Sequence, residues 1–204
     1  EAHAAIAAAR RYCDTVRERL TERVAPAGAA DPALIEREQH AVHGFAWAAA
    51  TLAALEATTD WAARAEAGGR FGVVEELTLR IGFGEALGQL VFGLPMSASE
   101  VVRPAAFAAE TEARALAAEP AVARFLADGS TAETRAALAA LLAQGQRPDE
   151  LLGDETLDLV RESFRAFTAE KITPYAHGWH LADALIPDEV IAGMADLGVF
   201  GVCI

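Results

Sequence analysis

Cysteine is almost absent. Only Cys13 and Cys203 occur, at opposite ends of 204 residues. That spacing forms neither a metal-ligand pair nor a disulfide framework, and it fits a reducing, cytoplasmic compartment. Long apolar runs are lacking too: the longest, Phe45 to Leu55, falls far short of the roughly 20 residues a membrane-crossing helix needs. Glu1, His3, Arg10 and Arg11 surround the first alanine run, so no apolar block with a cleavage site reads as a signal peptide. Positive charge is the third shortage. Seventeen Lys and Arg face 30 Asp and Glu, a formal net charge of −13. Nucleic acids and anionic membrane surfaces are bound by clustered cations, and this balance speaks against both. Nor does the chain show a Ser-His-Asp or Cys-His arrangement or a pair of carboxylates set for acid–base work.

What is present is alanine. The composition is 53% hydrophobic and 23% charged, a globular balance, and the chain is long enough for one generous domain or two small ones. Stretches such as "AAIAAARR", "AWAAATLAALEA" and "RAALAALLAQ" favour helix over strand, so the expected fold class is all-α. Ile6, Cys13, Val16, Leu20 and Val24 recur at helical steps and predict a first helix ending near Pro26 and Gly28. Asp31-Pro32 opens a second, with Ile35, Val42, Phe45, Ala49, Leu52 and Leu55 inward, running to about Thr58. Asp60 caps a short separate piece up to Gly68-Gly69, and a long helix is expected over Phe71 to Phe92, with Val74, Leu77, Ile81 and Leu87 inward. Ser97 with Glu100 reads as a capping box for a helix starting beyond Pro95. After an interruption at Pro104 a helix runs to Pro120, and Gly129 stops the next. Ser130 with Glu133 reads as another capping box, for a helix closed by Gly145. The stretch Gly145 to Asp154, with two glycines and a proline, is the best candidate linker. Beyond it, Leu157, Val160, Phe164, Phe167 and Ile172 share a helical face ending at Pro174. A loop passes Trp179, and Pro187-Asp188 opens a helix stopped at Gly198. The final residues read as the beginning of an extended segment.

Three constellations invite a chemical reading. Glu36, His40 and His43 fall near one helical face, but the position three before His40 is Arg37, and no second histidine-bearing segment completes a metal shell; two histidines at a helix–helix contact is the plainer expectation. His177 and His180, placed in a loop, lack an adjacent nucleophile or orienting acid, and capping or hydrogen bonding is the plainer role. Gly82, Gly84 and Gly88 depart by one residue from a dinucleotide fingerprint and follow no strand, so they are expected to let helices approach closely. The charged stretches "RERLTER" and "AETEAR" are expected to be solvated faces.

The last fifty residues carry a resemblance. "FRAFTAEKITPYAHGW" and "LIPDEVIAGMADLGVFGVCI" resemble the N-terminal opening of the flavin-dependent acyl-CoA dehydrogenases, in the order Pro174, Trp179, Pro187, Leu197-Gly198. The match covers about a quarter of the chain. The proline, acidic pair and double glycine with which that family continues are not in it, so the chain reads as an N-terminal portion. The first part, with "EREQHAVHGFAW", "GRFG", "IGFGEALGQL" and "GLPMSASEVVRP", is similar to an extension found on a family member acting on a branched dicarboxylic thioester. The expected division is a helical extension over 1–148 and the start of the family's N-terminal α-domain over 149–204.

The resemblance implies FAD, an acyl-CoA substrate, an electron-transferring flavoprotein as partner and a homo-oligomer. It implies α,β-dehydrogenation, in which a glutamate takes the α-proton and the β-hydride goes to the flavin. No residue here matches the family's base or its flavin contacts, so no catalytic, cofactor-binding or metal residue is carried over. A purely helical interaction module, or an acyl-CoA oxidase or flavin monooxygenase of the same superfamily, are the alternative readings.

Overall fold

Alanine-lined helix faces organise the first part of the molecule. The computed structural model describes residues 1–150 and 153–201, which divide into two units, Glu1–Leu151 and Leu152–Ile204. In unit 1, helix α1 (Ala2–Val24) buries Ala5, Ile6, Ala8, Ala9, Tyr12, Cys13, Val16 and Leu20. Asp31 caps α2 (Pro32–Arg37), its carboxylate accepting the Ala33 N–H at 2.8 Å. The expected continuous second helix is broken at Glu38 (φ −99°, ψ 14°), where α3 (Gln39–Ala67) begins. That helix then passes through Asp60 without a stop, because Leu55, Thr59, Ala62 and Ala65 keep its buried stripe going and outweigh a local cap. The centre of the stripe also differs from expectation. Ala41, Gly44 and Ala48 are buried, while Val42, Phe45 and Ala49 flank them half-buried. Small residues sit where backbones approach most closely.

Helix α4 (Val73–Phe92) buries Val74, Leu77, Phe83, Leu87, Leu90 and Val91, with Ile81 only half-buried. The expected helix after Pro95 is not formed. Leu94–Pro95 (β1) and Val101–Val102 (β2) instead pair antiparallel, in the register Leu94↔Val102 and Pro95↔Val101. Ser97 and Glu100 lie in the turn between them, joined by backbone hydrogen bonds rather than by a capping box. Two adjacent β-branched residues and a proline on an edge suit a short ribbon. Val102, 1% exposed, fills the notch over Gly44, where a Cβ would come within 2.5 Å of it.

A 3₁₀ turn (Pro104–Phe107) and Ala108 at φ 53° break the chain before α5 (Glu110–Ala118), so the helix expected to run on to Pro120 starts later. Pro120 opens α6 (Pro120–Arg124), followed by a π-turn over Phe125–Gly129. The cap of α7 (Ala132–Ala143) is Thr131 with Thr134, one residue beyond the expected Ser130–Glu133 box. Ser130 Oγ donates instead to Glu85 at 2.8 Å. The rings of Phe83 and Phe125, 4.8 Å apart, join α4 to the π-turn at the centre of the core.

Unit 2 is helical as well. Asp154 caps α8 (Glu155–Phe167), accepting from the Thr156 and Leu157 N–H groups at 2.8 and 3.2 Å. Pro174 does not end the helical path. A π-turn over Thr168–Ile172 absorbs the hydrogen bond the proline cannot make, and Pro174 sits in the first turn of α9 (Thr173–Leu181). Trp179, His177 and His180 are therefore helical rather than in a loop. Helix α10 (Asp188–Asp196) follows Pro187 as expected, with Gly198 at φ +78° beyond it. Val199–Gly201 forms a 3₁₀ turn, not an extended segment. Cys203 lies outside the described residues. Among the described residues no helix is long and apolar enough to cross a membrane.

Candidate functional site

The constellations singled out in unit 1 resolve into structural contacts. His40 and His43 lie on the exposed side of α3, not at a helix–helix contact. His40 Nδ1 is 2.9 Å from the Glu100 carboxylate in the hairpin turn, and His43 Nε2 accepts the Trp47 indole N–H at 3.0 Å. Glu36 sits on α2, across the break, and receives the Gln39 amide at 3.5 Å. No group of three or more metal-capable side chains exists among the described residues.

Of the three glycines, only Gly84 serves close approach. A Cβ there would lie 2.9 Å from the Phe125 carbonyl oxygen and 3.0 Å from the Ser130 nitrogen, whereas Gly82 faces open space and Gly88 has room. The two charged stretches are not simply solvated. Arg19 grips both carboxylate oxygens of Glu112, at 2.9 and 2.5 Å, and also donates to the Ala108 carbonyl. Arg23 bridges Glu38 and the Ala106 carbonyl. This hydrogen-bonded pairing raises the pKa of Arg19 and holds Glu112 below the ordinary carboxylate value. Cys13 is 5% exposed, and burial, helped by Asp14 and Glu56, pushes its thiol up to about 12. A thiol so placed is not a nucleophile.

Unit 2 holds the more open surface. Phe167, Lys171, Tyr175 and Trp179 follow one another at four-residue steps along α8, the π-turn and α9. Together with Pro187, Glu189, Val190 and Gly193 of the α10 region they line a groove of about 520 Å³. Gly193 permits the contact, since a Cβ there would fall 2.7 Å from the Phe167 ring. Tyr175 and Trp179 stack with centroids 6.0 Å apart. Lys171 is engaged by Glu170 at 2.7 Å, and that hydrogen bond raises its pKa. The four-residue ladder was legible in the sequence, but reading Pro174 as a stop hid it.

Elsewhere in unit 2, Leu159 (70% exposed), Leu181 and Leu185 (92% exposed) lie open, while Val190, on the groove, is buried. His177 and His180 are exposed on α9, with no nucleophile or acid beside them among the contacts of the described residues. The groove does not fit a flavin: its aromatic rings Tyr175 and Trp179 stack on each other and its lysine is paired with Glu170. No flavin contact is assigned to it.

Over 94% of its length the chain is 39% identical to (2S)-methylsuccinyl-CoA dehydrogenase of Cereibacter sphaeroides, across 196 aligned residues. The chain spans about a third (35%) of that relative's length. The similarity thus runs through unit 1 as well as unit 2. Residues 154–204 match the acyl-CoA dehydrogenase N-terminal domain, the segment that opens with α8 and carries the aromatic groove.

Proposed function

We propose that this chain is the N-terminal portion of an FAD-dependent acyl-CoA dehydrogenase that oxidises a short branched acyl thioester, (2S)-methylsuccinyl-CoA, to mesaconyl-CoA in the ethylmalonyl-CoA pathway. The observation that carries the reading is the 39% identity sustained over 94% of the chain, extension included. In the same reading the enzyme is a cytoplasmic homo-oligomer that passes its electrons to an electron-transferring flavoprotein. FAD, when bound, supplies the hydride acceptor; this chain's residues supply packing. The family segment presents the open apolar face of α8 and α9 to the rest of the enzyme. The extension over 1–148 packs on the catalytic body and restricts which acyl groups are accepted.

The full-length polypeptide, assayed with methylsuccinyl-CoA beside straight-chain and monocarboxylic branched thioesters, is expected to turn over the dicarboxylic thioester fastest with an artificial electron acceptor and to consume little oxygen. Oxygen uptake matching turnover would point to an oxidase instead, and no dehydrogenation of any thioester would end the reading. Removing residues up to Gly145 is expected to lower stability or shift substrate preference. Unchanged melting and kinetics would refute the role given to the extension.

A further inference from the structure

Sequence composition marks Gly145 to Asp154 as a linker, yet the first half of that stretch is held to unit 1. Gly145 (φ +86°) turns the chain off the end of α7, and Arg147 donates to the Leu142 and Gln146 carbonyls at 2.6 Å. The segment then crosses the seam between α3 and α4, over an apolar groove floored by Ala57, Trp61 and Thr78 and flanked by Pro148. Three side chains from different places in the fold converge on Asp149. Trp61 of α3 donates its indole N–H to the Asp149 carbonyl at 2.5 Å. Arg70, in the turn after α3, pairs with the Asp149 carboxylate at 2.7 Å. Glu75 of α4 accepts the Asp149 N–H at 3.3 Å. Glu75 is 7% exposed, and its second oxygen accepts the Gly72 N–H at 3.0 Å, so one buried carboxylate caps α4 and holds the strap.

We propose that residues 146–150 are a strap that clips the turn end of the α3–α4 pair shut, locked at Asp149, and that its release is a separate opening step of unit 1 which uncovers Trp61 while the helices stay folded. The physical basis is the contrast in what holds the parts. The helices share a core of Phe83, Leu87 and Val16, whereas the strap is held by Pro148 and by polar contacts, three of which come from separate places in the fold and meet at Asp149. Segments held by few apolar contacts open locally at a free energy below that of global unfolding. Backbone amide, carbonyl and carboxylate of Asp149 are engaged together, so weakening any one partner loosens the others.

Hydrogen exchange in the full-length polypeptide tests this, reading the Asp149 amide against amides in the middle of α1. In the wild type the Asp149 amide is expected to be protected, yet to exchange faster than α1. Glu75→Gln places an N–H₂ group against one of two N–H donors and is expected to speed Asp149 exchange about tenfold, the scale of one lost buried hydrogen bond, with α1 unchanged. Arg70→Ala removes only a surface partner and is expected to give a smaller rise at the same amide. An unprotected Asp149 amide in the wild type, or no rise in either variant, would overturn the proposal. Should Glu75→Gln accelerate α1 as well, Arg70→Ala decides: a rise confined to Asp149 upholds the separate step, and a parallel rise in α1 removes it.

Discussion

Gly82 and Gly84 stand two residues apart on α4, and replacing each by alanine is expected to move stability in opposite directions. In a helix interior alanine is favoured over glycine by about 1 kcal/mol, through lower backbone entropy in the unfolded chain. At Gly82 nothing lies within 4 Å of an added Cβ, so Gly82→Ala keeps the whole gain. For a unit of this size that corresponds to roughly 2–4 °C in melting temperature. At Gly84 the added Cβ meets the Phe125 carbonyl oxygen at 2.9 Å and the Ser130 nitrogen at 3.0 Å. The first is a backbone atom of the π-turn and the second belongs to the residue just after it, and the turn is fixed further by the hydrogen bond from Thr134 Oγ1 to the Gly129 carbonyl at 3.1 Å. A rotamer change cannot relieve such a clash, and overpacking of this kind costs about 1–3 kcal/mol. Taking the upper end and subtracting the propensity gain, Gly84→Ala loses about 2 kcal/mol, or roughly 4–8 °C. Thermal unfolding followed by far-ultraviolet circular dichroism reads both variants beside the wild type. Equal shifts of the same sign would refute the claim that α4 and the π-turn touch backbone to backbone at Gly84.

Cys13 gives a pH prediction. Its folded pKa is raised from 9.0 to about 12, so the stability it contributes is complete below about pH 9 and is lost as pH rises through 9 toward 12. Urea midpoints measured at pH 8 and pH 10.5 should fall accordingly, and Cys13→Ala should flatten the decline. At pH 8 the native thiol should react with a maleimide far more slowly than the unfolded chain does; equal rates would contradict its burial. The Arg19–Glu112 pair, 33% and 29% exposed, should show a favourable double-mutant coupling at low salt that shrinks by more than half at about 0.5 M salt. A salt-independent coupling would mean that packing, not charge, joins α1 to α5. Asp154→Ala should destabilise α8 by about 1 kcal/mol through loss of its cap, and Asp154→Asn should restore most of that in a helicity measurement.

Much of the fold was legible because helix signals are local. The step pattern from Ile6 to Leu20, the Asp31-Pro32 opening, the glycine stop after α3 and the Pro187 opening of α10 each depend on residues within a turn or two of one another. The errors have a common cause. Asp60, Ser97 with Glu100, and Ser130 with Glu133 all carry plausible local caps. At Asp60 a buried stripe on α1's neighbour overrode the cap, and at Ser97 strand pairing over Gly44 did. At Ser130 the hydroxyl was captured by Glu85, and Thr131 took over the cap. Pro174 reads as a stop in isolation, while the π-turn before it supplies the slack that lets the helical path continue, and with it the aromatic ladder from Phe167 to Trp179.

Composition and order alone determined the helical class, the net negative charge, and the likeness of the last fifty residues to an acyl-CoA dehydrogenase opening, because each depends on residue type and on neighbours along the chain. Tertiary structure decided which small residues are contacts and which are spare, which charges pair across helices, and that Asp149 is gripped rather than free. Those outcomes depend on distances between segments far apart in sequence: a Cβ at Gly84 meets residues more than forty positions away, and Trp61 reaches across 88 positions to its acceptor.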